Sequence, residues 1–493
     1  MTTHSTAPVD DASPHAPSSS EKPHVLIIGA GIAGLTLGGL LHKAGVPFDI
    51  FEKAPVPRTV GSALFLGPDL YGYMKQAGIY EEFVSRSIPC NSIEYFGEDR
   101  KVDFVVDFTP YSEMGGCEGR IIGRTQLYDI LLNAIPTERC HMGMKMVSMT
   151  QHDPATGKAS VKFADKSEFS GDIIVGADGA YSAVRQSLYD ELKAEKTLPS
   201  SDAADLPFSV ICVAGYTSPM DTAKFPGLKD ERSQFWNVLS RDKPYSWMTI
   251  TTPNSVMSWS AFKYLRKGTT SATDSNLRRL GWGEEAAEAM CNDIRDFPVP
   301  GGDGTLTLAD LIDATPKNQM TKVMLEEKIF DTWFHGRSVL MGDACHKVHP
   351  AGGQGALLGF HDAIALANWI NVLPASPTIQ ELDVVFTEYK AERHPYATAA
   401  FEHARNMSNL SDKDLKATIS RFVIKHIPDW LWRLSLAKMS ANRPQVSFLP
   451  LVEDIGTVKS AYQASLDNTQ KILRAKEEAK TAKPTTALAP IAV

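Results

Sequence analysis

The stretch Pro23–Lys53, "PHVLIIGAGIAGLTLGGLLHKAGVPFDIFEK", decides how this chain begins to fold. Val25 to Ile28 is an apolar, β-branched run too short for a helix, which predicts a strand buried on both faces. Glycines follow, then a helix of small residues to about Ala44, and "FDIFE" predicts a second strand ending at Glu52. The spacing of Gly29, Gly31 and Gly34 is G-x-G-x-x-G. The first glycine allows a tight turn, the second lets a pyrophosphate approach the backbone, and the third lets helix and strand close; the helix start stabilises phosphate charge. Glu52, roughly 20 residues on, is placed to bind ribose hydroxyls. An acidic residue there favours an adenosine ribose without a 2′-phosphate, which leaves NAD or FAD.

Two later strand-like runs end in similar turns. "DIIVGADGAYSAVRQSL" passes Asp178-Gly179 into a helical pattern, and "RSVLMGDA" ends in Gly342-Asp343. A plain NAD dehydrogenase has no need of them. Between them, "FSVICVAGY", "SQFWNVLS", "YSWMTITT" and "SVMSWSAFKYL" alternate and are rich in aromatic and β-branched residues, which predicts an antiparallel sheet at residues 202–318. The fold class expected is α/β: a Rossmann-like nucleotide-binding domain (23–201 and 319–395) with an inserted antiparallel-sheet substrate domain, then C-terminal helices over 396–475. Residues 1–22 and 476–493 read as disordered tails. The stripe "ISRFVIKHIPDWLWRLSLAKM" (419–439) mixes Trp, Leu and basic residues. Packing on the body is the expectation for it, and weak association with a membrane surface is the alternative.

Length and composition narrow the class. The 493 residues are 43% hydrophobic with a formal net charge of -8, so the chain has core enough for two or three domains and lacks the positive field of a nucleic-acid binder. Six cysteines stand singly without a C-x-x-C pair, the first residues have no apolar signal core, and no apolar run reaches the length of a membrane span. A cytoplasmic enzyme is expected. "GDACHKVHPAGGQGALLGFHDA" (342–363) holds an aspartate, a cysteine and three histidines, but the second Cys or His pair that compact zinc sites repeat is missing. No metal is expected.

Three motifs in order, "GAGIAG" with Glu52, "GADGAYSAVR" and "GDACHKVHPAGGQGA", resemble those of the FAD-dependent monooxygenases of the para-hydroxybenzoate hydroxylase type, the class A flavoproteins, and their fungal epoxidase relatives. The resemblance covers most of residues 23–395. It implies that FAD is the nucleotide and NAD(P)H the reductant. It implies that Glu52 holds the adenosine ribose, Gly61 lies beside the flavin, and Arg124 reaches the ribityl and phosphate region. Asp178 belongs to a turn associated with FAD and nicotinamide binding, with Arg185 as a possible ion-pair partner for its helix. Asp343 accepts a bond from a ribityl hydroxyl. After Pro350, Gly352, Gly353 and Gly355 let the main chain lie against the flavin ring, and the helix starting at Gly355 and Ala356 aims its N–H groups at the pyrimidine edge.

The implied reaction transfers one oxygen atom of O₂, through a C4a-hydroperoxyflavin, to an aromatic or apolar small molecule of polyketide or terpenoid kind. Dehydrogenation or reduction on the same fold, and flavin binding without turnover, are the alternatives. The substrate is expected between the flavin and the antiparallel sheet, with Tyr245 as the catalytic candidate on a face shared with Trp247 and Thr249; Phe235, Trp236 and Trp259 are expected in the core. Two departures from the family pattern stand out. Leu357 occupies the place of a usual asparagine, and "LPFSVICVAGY" lacks the arginine that some relatives carry on the first sheet strand.

Overall fold

The computed structural model describes residues 21–57, 61–153, 157–204, 206–240, 242–265, 284–301, 304–411 and 415–481. Residues 1–20 and 482–493, in the two expected tails, lie outside the described residues. Lys22, also assigned to the first tail, is tied down: its Nζ donates to the Ala44 carbonyl and to Asn371 Oδ1 at 2.6 and 2.7 Å.

Strand β1 (Val25–Ile28), helix α1 (Ile32–Ala44) and strand β2 (Phe48–Glu52) form the expected unit, with Val25 level with Phe48 in a parallel pair. Gly29 and Gly34 are required sterically. A Cβ on Gly29, whose φ is +109°, would lie 2.4 Å from the Ala177 carbonyl oxygen, and one on Gly34 would lie 2.0 Å from the Gly29 oxygen. β3 (Ile173–Gly176) pairs in parallel with β1, and β4 (Ser338–Leu340) with β3. The order β4–β3–β1–β2 therefore puts the carboxyl ends of three neighbouring strands, and the three glycine turns that follow them, side by side. Open α/β sheets bind ligands at that edge.

Helix α2 (Gly355–Asn371) is buried at every residue from Leu358 to Asn371. It closes on α1 because Gly342 and Gly359 leave room for the Ala33 methyl, with virtual Cβ distances of 3.3 and 3.1 Å. A buried carboxylate needs donors. Asp362, with no exposed surface, accepts from the Gly342 N–H (2.9 Å), His346 Nε2 (2.5 Å) and Arg393 Nε (2.9 Å). Arg393 lies on helix α3 (Ile379–Ser408), which runs through the domain boundary expected at 395 with Pro395 inside it. Burial works against ionisation of Asp362, and His346, Arg393 and the Gly342 amide overcome it, holding the carboxyl well below the usual range.

The second sheet has seven strands, wider than the inserted segment expected. Phe208–Tyr216, Phe235–Leu239, Tyr245–Thr252 and Val256–Tyr264 match the predicted strands. Met320–Glu326 adds one edge, and Ser92–Phe96 with Val102–Asp107 adds the other, so the sheet draws on 92–107, which the sequence reading placed in the nucleotide-binding part. Those two strands precede the insertion in sequence and join it through a parallel pairing, a long-range choice that local alternation does not encode.

The C-terminal region continues through α4 (Leu415–Lys425) and α5 (Asp429–Ser440), then a helix Ala464–Thr481 that crosses the expected tail boundary at 476. In the segment between them Arg443 pairs with Asp454 at 2.7 Å, and Asn368 of α2 ties the segment to the body by holding Gln445 and Ser447. Beneath it Asp69 is 4% exposed, and burial pushes its carboxyl up to about 6 despite Tyr111 and Arg443 nearby.

Two stability effects follow. Arg393→Leu leaves Asp362 charged and buried without its cation, and is expected to cost about 3–5 kcal/mol in urea unfolding. Asp69 binds its proton more tightly in the folded state, so its contribution is full below pH ~4 and lost as pH rises through ~6, a penalty of about 3 kcal/mol above that. Asp69→Asn is therefore expected to raise the melting temperature at pH 8 and to lose that advantage at pH 4; equal gains at both would refute the assignment.

Candidate active site

At the nucleotide end, Gly31 begins α1 without a side-chain cap, and a Cβ placed on it would meet nothing within 4 Å. The space beside it is open while Gly29 and Gly34 are clamped. Glu52 sits at the end of β2 with Oε2 accepting from the Ala30 N–H (3.1 Å) and Oε1 from the Ala54 N–H (2.9 Å). The carboxylate is thus oriented by backbone amides, with acceptor capacity remaining on each oxygen.

Further along the same edge, Gly61 has φ +149° and a Cβ there would lie 2.7 Å from Arg124 Cδ, so this glycine makes room for the arginine. Arg124 is exposed at the first position of the helix Arg124–Asn133. Asp343 is half-buried and bonded to Lys347 Nζ at 2.5 Å. Burial opposes its ionisation, but Lys347, with His346 and Arg124 nearby, holds its carboxyl below the usual range. Gly353 has φ +65° and open space at its Cβ; Gly355 and Ala356 open α2, whose first turn no side chain caps. Uncapped helix starts of this kind attract negative charge. Gly352 has a different reason, since its Cβ would lie 2.8 Å from Ala404 Cβ: it is a packing glycine. Pro350 is exposed and Leu357 half-buried.

His349, beside Pro350, is 2% exposed. Its Nδ1 accepts from the Ala351 N–H at 3.1 Å, which puts the ring proton on Nε2, and that atom is buried with no hydrogen-bond partner in the protein. Burial lowers its pKa to about 4, so the ring is neutral at physiological pH. The open space at Gly31, the two uncapped helix starts and this orphaned donor together fit a dinucleotide with a flat polar ring. Gly29, Gly31, Gly34 and Glu52 would hold its adenosine and pyrophosphate end; Arg124, Asp343, Gly353, Gly355 and Ala356 would hold its ring end.

The middle motif makes structural contacts within the protein. Asp178 Oδ2 accepts from the Ala183 and Val184 N–H groups at 2.6 and 3.3 Å, capping the helix Ala183–Ala194. Among the described residues Arg185 makes no ion pair; it is 2% exposed, donates to the Ala344 carbonyl at 2.7 Å and the Ala180 carbonyl at 2.6 Å, and stacks on Phe330 at 4.1 Å. It straps the turn after β3 to the turn after β4.

Tyr245 is not on the side of the sheet that faces this edge. It shares a face with Trp247, as alternation predicts, but that face is covered by the helix Glu284–Ile294 and its neighbours: the Tyr245 hydroxyl donates to Asp293 at 3.2 Å and its ring meets Phe297 edge-on at 5.3 Å. Trp259 lies there too, with Nε1 donating to Thr315 at 2.9 Å. The opposite face carries Cys212, Met248, Ile250 and Phe262. It turns toward Ala63 and Ile121, with Ser258 bonded to Ser62 at 2.9 Å, beside Gly61 and Arg124. Among the described residues of its four central strands this face has hydroxyls but no Asp, Glu, Lys, Arg or His.

One group in the described residues could in principle hold a metal, Cys345, His346 and Asp362, with candidate atoms within 4.8 Å of one another. Arg393 sits on the same carboxylate at 2.9 Å, so the group works as a hydrogen-bonded brace.

The FAD binding domain family matches residues 22–290 and 305–404 of the chain. Similar proteins include the FAD-dependent monooxygenase ctvC of Aspergillus terreus, 27% identical over 460 residues that span 88% of this chain and 88% of that protein. Another is the FAD-dependent monooxygenase ausM of Emericella nidulans, 26% identical over 457 residues, 90% of each. Among solved structures, Klebsiella pneumoniae HpxO with FAD and uric acid superposes with a TM-score of 0.65 at 18% identity, over 85% of this chain and 97% of that one. FqzB superposes with a TM-score of 0.60 at 17% identity, over 94% and 96%. At these identities the structural likeness speaks for the fold. The family match extends over all three glycine turns, and the chain is a member of the FAD binding domain family and an FAD-dependent monooxygenase.

Proposed function

We propose that this enzyme uses NAD(P)H and O₂ to insert one oxygen atom into a neutral, apolar small molecule of aromatic, polyketide or terpenoid character. The observation that carries the substrate class is the uncharged sheet face opposite the glycine turns, where Cys212, Met248, Ile250 and Phe262 lie among serine hydroxyls. A carboxylate or ammonium substrate placed there would lose its water without gaining a partner. FAD, when bound, supplies the electron transfer from the nicotinamide and the activation of oxygen.

The chain's own residues position and exclude. Glu52 orients ribose hydroxyls, Arg124 offers charge to a phosphate, and Asp343 accepts a hydroxyl proton in a hydrogen bond. The start of α2 places backbone N–H groups where negative charge develops, without any titrating side chain. Neutral His349 donates from Nε2 and does not change charge above pH ~5. The apolar sheet face keeps water from the reacting centre.

Two experiments test this reading. Gly31→Val adds bulk only to open space, so it is expected to fold with unchanged circular dichroism yet lose FAD affinity by about tenfold or more, measured by flavin absorbance after gel filtration. Retained flavin would refute the site. In a screen of NAD(P)H oxidation, neutral lipophilic compounds are expected to accelerate the reaction and carboxylated analogues to fail, with product formed under ¹⁸O₂ carrying one labelled atom. An unlabelled product would replace oxygen insertion by dehydrogenation or reduction.

A further inference from the structure

Helices α4 and α5 are held to the body on one side only. Trp432 donates from Nε1 to the Asp107 carbonyl at 2.7 Å, and Leu436 is buried against Tyr111 and Met114. Ala417 is buried, and Lys425 pairs with Asp103 at 3.0 Å. The other side is apolar and bare, so the packing expected from sequence holds for only one side of the stripe. On α4 it shows Leu415, Ile419, Phe422 and Val423, at the spacing of one helical stripe. On α5 it shows Trp430, Leu431 and Leu434. Phe422 is 63% exposed and Trp430 68%, values foreign to residues that serve a core. Only three residues separate the helices, so the stripes stay within about 14 Å of each other along the chain.

Charge selects the occupant. Residues 415–440 contain five Lys or Arg and one Asp, in a chain whose formal net charge is -8; Lys425 is turned to Asp103 on the body and Arg433 pairs with Asp429, and the segment still carries an excess of positive charge. An isologous contact with a second copy would oppose two such cationic segments. We propose that α4 and α5 form a foot that rests on the surface of an anionic phospholipid bilayer, with the aromatic and aliphatic stripe in the headgroup boundary and the basic residues against lipid phosphates. Among the described residues no helix is long and apolar enough to cross a membrane, so the contact is interfacial. A chain of rings links the foot to the uncharged sheet face. Trp432 meets Phe108 at 6.0 Å, Phe108 meets Phe65 at 5.5 Å, and Phe65 packs beside Ile250 and Met248 on the uncharged sheet face. Delivery of an apolar substrate along this side rests on the function proposed above; the docking itself does not.

Flotation of the flavin-loaded enzyme with vesicles tests the docking without substrate or turnover. The enzyme is expected to float with phosphatidylcholine vesicles containing phosphatidylserine, to do so less with phosphatidylcholine alone, and to be released by high salt. The double variant Phe422→Glu/Trp430→Glu, altered only at exposed positions, is expected to keep its flavin spectrum and circular dichroism while binding the mixed vesicles about tenfold more weakly or less. The proposal is overturned if the enzyme ignores the anionic vesicles or if the folded double variant binds them equally. It is also overturned if sedimentation shows a dimer that the double variant dissociates, which would assign the stripe to a second copy.

Discussion

A carboxylate sealed from water dictates where its neighbours stand, and Asp362 does so for this enzyme. Its three donors come from the turn after β4, from His346 in the loop that follows, and from Arg393 on α3. Only an ionised carboxylate can accept from all three, because an asparagine would present a donor to one of them. The pair Asp362–Arg393 need not add net stability over apolar residues of the same volume. Its effect here is positional: it fixes the loop 342–354 relative to α2, and so fixes where the first turn of α2 points. Burial of all of α2 beyond Leu358 makes the arrangement rigid.

Legibility in the sequence followed the range of the interaction. The strand ends, the three turns and the steric need for Gly29 and Gly34 are local, and were readable because a tight turn or a close approach forces a residue type within a few positions. Arg185 reaches a carbonyl 159 residues away and Asp362 an arginine 31 residues away. Nothing local distinguishes such a strap from a surface arginine. Asp178 sits in a recognisable turn, yet its observed contacts cap the next helix, a job any exposed-looking aspartate at that place could advertise.

The substrate sheet shows a second kind of limit. Alternation with period two sorts side chains into two sets but does not say which set faces inward. Alternation groups Tyr245 with Trp247, but the face they share is the one turned away from the glycine turns. The choice is made by the helix Glu284–Ile294, which brings Ala287, Met290, Cys291 and Ile294 onto that face. The absence of an arginine on Phe208–Tyr216, readable from the sequence, acquires meaning only once register shows that its neighbours on the same face are uncharged as well.

Leu357 fits this pattern. A polar residue in the first turn of α2 would add a directed hydrogen bond at the ring end of the site; a half-buried leucine adds none. The uncapped amides of that turn then remain the source of positive potential on that side, and a backbone dipole neither titrates nor moves. Ionisable groups stand at the perimeter, Arg124 on one side and the Asp343–Lys347 pair on the other, with neutral His349 between loop and core. On the function proposed above, such a site discriminates by shape and desolvation, because a charged molecule that entered against the sheet face would lose its water without gaining a partner there.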